Sequence, residues 1–106
     1  MGAPEPQADI LNSLAGIDRV IHEPARLMIL IYLEPVQSAD FVFLMRVTDL
    51  TWGNLSSHLS KLEAAGYVEI EKEFKNKKPR TVIEITPEGR EALDKYRSTM
   101  NGVLNE

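Results

Sequence analysis

The sequence predicts a mainly α domain carrying one small β-hairpin, an α+β fold. Three observations carry that expectation. Apolar residues recur at three and four positions through most of the chain, the spacing of one helix face. After Gly66 the period falls to two, with Val68 and Ile70 alternating with Glu69 and Glu71, which is strand spacing. From Thr86 and Pro87 onward the helical spacing returns.

A chain of 106 residues has room for one domain and one core. Its apolar share of 43% and charged share of 26% are globular averages, which excludes disordered and fibrous classes. There is no cysteine, so disulfides, thiolate metal sites and cysteine nucleophiles are excluded and a cytoplasmic setting is expected. The longest apolar run, "LMILIYL" from Leu27 to Leu33, falls well short of the roughly 20 residues of a membrane span. The opening "MGAPEPQ" lacks the basic and apolar regions of a secretory signal. Residues 1–7 are expected as a flexible tail and residues 8–106 as a single domain.

Ile10, Leu11, Leu14 and Ile17 space a first short helix that breaks near Gly16. In "HEPARLMILIYLEP" Pro24 suits a first helical position, Leu27, Leu30 and Ile31 form the apolar line, and Pro35 marks the stop. Residues Pro35 to Ala39 are expected as a turn. Ser38 or Asp40 can cap a third helix through "DFVFLMRV", with Phe41, Leu44 and Met45 on its apolar side. Thr51 can cap a fourth, whose apolar line is Leu55, Leu59 and Leu62 and whose end is Gly66. Two helices so closely joined have the size of a helix-turn-helix. In the hairpin that follows, the basic segment with Asn76 and Pro79 is expected as the turn, and "TVIEI" returns with Ile83 and Ile85 on one side. Thr86 as cap, Pro87 at the first position and Glu88 near the positive dipole end then start the last helix.

The functional signal lies in "LTWGNLSSHLSKLEAAGYVEIEKEFKNKKPR", Leu50 to Arg80. With Leu55, Leu59 and Leu62 inward, the outer side of the fourth helix collects Gly53, Asn54, Ser56, Ser57, Ser60 and Lys61. Short polar side chains let a helix approach base edges closely in a major groove. The net charge of −4 argues mildly against nucleic acid, but Lys72, Lys75, Lys77, Lys78 and Arg80 against Glu73 alone give residues 72–80 a local +4, leaving −8 elsewhere. Lys75, Lys77, Lys78 and Arg80 can pair with phosphates, and Arg80 beside Pro79 can enter a minor groove. The bland readings are a solvated serine face and a charged turn that protects an edge strand.

"RLMILIYL", "DFVFLMRVTDLTWGNLSSHLSKLEAAGYV" and "KKPRTVIEITPEGREAL" together resemble, in order and spacing, winged-helix transcriptional regulators of the MarR-like and ArsR-like kind, over about residues 22–97. The resemblance implies a winged helix-turn-helix in which "TWGNLSSHLSKLEAAG" is the recognition helix and "EKEFKNKKPRT" the wing. Carried onto this chain, it places Thr51, Trp52, Asn54, Ser56, Ser57, Ser60 and Lys61 on or beside DNA-facing positions. Trp52, on the flank of the apolar line, is expected to cover core or to meet a phosphate through its indole N–H rather than to read a base. His58, on the other flank, is expected as a packed or capping histidine rather than a sensor.

ArsR-like metal sensors carry cysteine pairs or clustered histidine and carboxylate ligands; here the histidines are His22 and His58 alone, so no metal and no cofactor is expected. No phosphate-binding glycine loop, HExxH or GxSxG occurs, and "SSH" at residues 56–58 puts its serines and histidine on different helix faces. An enzyme is therefore not expected. Leu93, Tyr96, Met100 and Val103, extended by Leu104, make an apolar seam on the last helix. With Ile10, Leu11 and Leu14 of the first helix it predicts a two-fold homodimer; the alternative is a last helix that returns onto its own core. The expected function is sequence-specific binding of double-stranded DNA as a dimeric transcriptional regulator, a repressor by steric competition. The competing reading is a winged-helix protein-interaction module of the transcription machinery.

Overall fold

Helix α1 (Pro6–Ala15) opens the computed structural model, which describes residues 6–105. Most of the expected tail therefore lies outside the described residues, while Pro6 and Gln7 already belong to a helix. Helix α2 (Pro24–Val36) starts where Pro24 predicts, and the Glu23 carboxylate caps it by accepting the N–H groups of Ala25 and Arg26 at 3.0 and 2.9 Å. Pro35 does not stop α2 at once. It sits in the last turn, and the helix ends one residue later, where Gln37 takes φ 71° and donates its N–H to the Leu33 carbonyl.

The segment expected as a turn holds a short strand instead. Strand β1 (Ser38–Asp40) pairs antiparallel with β3 (Lys78–Ile85), Ser38 opposite Glu84 and Asp40 opposite Val82. Three residues carry no readable period, and their partner lies far downstream. Helix α3 (Phe41–Thr48) is capped by Asp40, whose Oδ1 accepts the Phe43 N–H at 2.7 Å. Asp49 in the left-handed conformation, φ 56°, then turns the chain into α4 (Trp52–Ala64), capped by Thr51 Oγ1 on the Asn54 N–H.

Gly66 closes α4 as the sequence predicts. At φ 82° it lets its own N–H reach Glu63 and the Tyr67 N–H reach Leu62, the pair of bonds that satisfies the last helical carbonyls. Strand β2 (Val68–Lys75) follows and pairs with β3, giving an antiparallel sheet ordered β1-β3-β2. The hairpin turn is tighter than expected: only Asn76 and Lys77 form it, both left-handed at φ 54° and 66°, which matches the right-handed twist of the strands. Pro79 lies within β3 opposite Phe74. Strand β1 stops opposite Val82, so Pro79 sits where β3 has no neighbour on that side and its missing N–H breaks no ladder there.

Helix α5 (Pro87–Leu104) is held to the end of α4 by one side chain. Thr86 Oγ1 donates to the Gly66 carbonyl at 2.6 Å and accepts the Gly89 N–H at 2.9 Å. The approach is so close that a Cβ on Gly89 would stand 2.2 Å from the Tyr67 carbonyl oxygen. The core gathers Ile29, Leu30 and Leu33 of α2, Phe41 and Leu44 of α3, Leu55, Leu59 and Leu62 of α4, Val68, Ile83 and Ile85 of the sheet, and Leu93 of α5. Burying each such side chain stabilises the fold by roughly 1.5–3 kcal/mol before conformational entropy is counted.

Leu93 corrects the expectation of a continuous dimer seam. At 1% exposed it belongs to the core of its own chain, so α5 returns inward at Leu93 as well as packing against α1. The radius of gyration, 16.7 Å, exceeds the roughly 13 Å of a compact chain of this length, and the long dimension is 70 Å.

Candidate nucleic-acid interface

Helix α4 buries Leu55, Leu59 and Leu62 completely or nearly so and turns Thr51, Asn54, Ser56, Ser57, Ser60 and Lys61 to solvent. The small polar ridge is thus exposed. Gly53 has nothing within 4 Å of the place a Cβ would occupy, so its surroundings are open to an approaching molecule.

Lys75, Lys77 and Lys78 are exposed at and beside the hairpin turn. Lys77 holds a left-handed position where glycine or asparagine is the cheaper choice. A cation kept at a strained tip is more informative than one on a relaxed surface. Arg80 is placed differently: it is half-buried, its Nε donates to Glu73 Oε1 at 2.6 Å, and its Nη1 lies 3.9 Å from Asp40 Oδ2. In this structure it ties the two hairpin strands to the start of α3.

Trp52 covers core on one side, as expected, and is open to solvent on the other. Its ring centre lies 4.3 Å from that of Phe41, tilted by 48°, so it covers a core residue, yet it remains 64% exposed. Together with Asp40, Phe41 and Val42 it lines one side of a cleft of about 440 Å³ whose other side is Lys72, Pro79, Arg80 and Thr81 of the hairpin. The start of α4 and the hairpin therefore border one space. Lys72 and Phe74 fall inside the expected wing segment, though neither is among the side chains expected to contact DNA. The alternation that puts Val68 and Ile70 inward also puts Lys72 and Phe74 on that same face, and that signal was available in the sequence.

His58 is packed, as expected, with Nδ1 3.2 Å from Arg26 Nη1 and 3.5 Å from Glu23 Oε2. Burial alone would raise the Glu23 carboxyl. The N–H groups of Ala25 and Arg26, with the charges of His58 and Arg26, outweigh it and hold Glu23 below the usual carboxylate range. Among the described residues no group of three or more histidine and carboxylate side chains is placed to hold a metal ion. Likewise no helix among them is long and apolar enough to cross a membrane.

Of the residues expected at a dimer interface, Leu11 and Leu104 are 59% and 72% exposed, and Ile10, Leu14, Met100 and Val103 are half-buried. Tyr96 is half-buried, packed on the core, with its hydroxyl 2.9 Å from His22 Nδ1.

The sequence profile of a family described as the winged helix DNA-binding domain matches residues 25–104. The chain belongs to that family. Its structure superposes on a transcriptional regulator homologue from Pyrococcus horikoshii with a TM-score of 0.81, at 35% identity and covering 96% of both chains. An uncharacterised protein of Methanocaldococcus jannaschii is 36% identical over 78 residues, 74% of this chain and 85% of that one. YusO from Bacillus subtilis shares the fold at a TM-score of 0.70 and 16% identity, over 94% of this chain and 68% of that one. MarR does so at 0.66 and 18%, over 93% and 78%. The fold is thus the winged helix that MarR also has, five helices with a three-stranded antiparallel sheet among the described residues, and the family the chain belongs to is one of DNA-binding domains.

Proposed function

We propose that this winged helix binds specific double-stranded DNA sequences as a homodimer, with α4 in a major groove and the hairpin on the adjacent backbone or minor groove. The observation that supports the reading is the cleft that Trp52, at the start of α4, shares with Lys72, Pro79, Arg80 and Thr81 of the hairpin; α4 carries the exposed ridge of Asn54, Ser56, Ser57 and Ser60, and the hairpin carries the exposed lysines of its turn. The ridge is small enough to approach base edges, and the cations supply the sequence-independent attraction that short hydroxyl groups lack. Thr51, Trp52 and Lys61 flank the ridge on the same exposed side.

The dimer reading is supported by the apolar residues that α1 and the later turns of α5 leave uncovered, Leu11 and Leu104 foremost. Two copies joined there would present two α4 helices to successive major grooves of a near-palindromic site. Occupancy of such a site obstructs polymerase, which makes repression the direct outcome. Selection of bound fragments from random duplex DNA tests the reading: a recovered inverted repeat supports it. Recovery of no sequence, with a light-scattering mass of one chain, would favour the protein-interaction alternative.

A further inference from the structure

We infer that the cleft between Trp52 and the inner face of the hairpin seats one strand of the duplex's sugar-phosphate backbone, with Trp52 against deoxyribose and Lys72 on a phosphate. This rests on the DNA-binding reading and adds to it a positioning site made of residues that read no base.

The chemistry of the cleft is mixed in a particular way. One side is mainly apolar and aromatic, from Phe41, Val42 and Trp52, and the hairpin side offers Lys72 beside Pro79, Arg80 and Thr81; Asp40 also lines the cleft, its carboxylate 3.9 Å from the Arg80 guanidinium. A phosphodiester strand alternates an anion with an apolar sugar face, and so matches both walls. The pairing register explains how Lys72 gets there. Val68 opposite Ile85 and Ile70 opposite Ile83 lie on the core face of the hairpin, and Lys72 opposite Thr81 is the next inward pair outward along it. Beyond it come Phe74 and Pro79, and Phe74 is 79% exposed. Lys72 thus shares the cleft with one exposed aromatic, Trp52, and shares its strand face with another, Phe74.

Lys72 is also the cation left available at this place. Arg80, which borders the same cleft, is engaged by Glu73 and Asp40, whereas among the described residues no carboxylate lies within ion-pair distance of Lys72. An aromatic as large as Trp52 that packs at a tilt on Phe41 yet is mostly open to water gains by being covered, and a sugar face is the cover that the neighbouring cations attract.

Trp52 is the chain's single tryptophan, so its emission reports on the cleft directly. The full chain is titrated with a labelled mixed-sequence duplex while label anisotropy and Trp52 quenching by acrylamide are both followed. Bound duplex is expected to shift the Trp52 emission to the blue and shield it from acrylamide. Lys72→Ala and Trp52→Ala are each expected to raise Kd roughly three- to tenfold on all sequences alike, and Lys72→Ala to lower the salt slope by about 1. Trp52→Phe, which keeps a ring on Phe41, should retain most of the affinity. Binding seen by anisotropy with unchanged Trp52 quenching and an unchanged Lys72→Ala salt slope overturns the cleft assignment and leaves the DNA reading standing. No anisotropy change for the wild-type chain overturns both. If Trp52→Ala does not fold, wild-type quenching and Lys72→Ala decide.

Discussion

Arg80 faces Glu73 across the hairpin, Nε to Oε1 at 2.6 Å, so the arginine of the basic segment is partnered while the lysines around it are not drawn inward. Asp40, at 3.9 Å, adds a second carboxylate from the start of α3. Both partners are partly exposed, and such pairs stabilise by only about 0–1 kcal/mol. Geometry is the larger consequence. Arg80→Ala should change the salt slope of duplex binding by much less than each lysine does, while speeding amide exchange in β2 and β3. Glu73→Gln, which frees the guanidinium, should tighten binding. An Arg80→Ala slope loss as large as that of Lys75→Ala would return Arg80 to the phosphate-contacting set.

Lys77 separates stability from affinity. Its φ of 66° costs a non-glycine residue roughly 1–2 kcal/mol. Lys77→Gly relieves that cost at the second turn position, where glycine is favoured. Urea denaturation should show an unchanged or raised midpoint, and duplex titration a weaker Kd. A variant that is both less stable and equally tight on DNA would contradict the view that the tip is kept for its charge.

Gly89 marks the tightest contact between α5 and the rest of the fold. A Cβ there would stand 2.2 Å from a backbone oxygen of Tyr67, which backbone alone must yield. Alanine is otherwise the better helix former by about 1 kcal/mol, so an unhindered site would be stabilised. Here overpacking decides, and Gly89→Ala should destabilise by about 1–3 kcal/mol in urea. The Thr86 bonds to Gly66 and Gly89 should loosen with it.

Tyr67 gives the fold an alkaline limit. Its hydroxyl donates to Asp18, and that bond, with burial and the Asp18 charge, pushes the phenol up to about 12 from 10.0. Because the folded state holds the proton more tightly, the contribution is complete below pH 10.0 and is lost as pH rises toward about 12. Tyr67→Phe should be less stable near neutrality by roughly 1.5–3 kcal/mol, the range for a bond to a charged acceptor. The gap between the two urea midpoints should close above pH 10.0. A gap that stays constant through that window would mean the proton is not held there.

Much of this fold was legible because its signals are local. Thr51, Gly66, Thr86 and Pro87 each act within a few residues of themselves, and the predicted cap or stop is the observed one. Strand β1 was not, because Ser38–Asp40 becomes a strand only when β3 arrives beside it. Leu93 shows the same limit: its spacing fits a seam with Met100, and only the tertiary fold decides that it turns inward. At the site, the outward ridge of α4 followed from one helical period. The tie of Arg80 to Asp40 did not, since those residues meet only through the β1-β3 pairing. Lys72 needed only the strand alternation, carried further along the hairpin than Ile70.

The central claim is that α4 and the hairpin act together on duplex DNA. Affinity of the full chain for a mixed-sequence duplex, measured by anisotropy from low to moderate salt, tests it most directly when wild type is set beside the triple variant Lys75→Ala, Lys77→Ala, Lys78→Ala. The account predicts a linear fall of log K with log salt for the wild type, and a slope smaller by about 2–3 in the variant. Wild-type binding that is absent or insensitive to salt, or a variant whose slope matches the wild type, would contradict it.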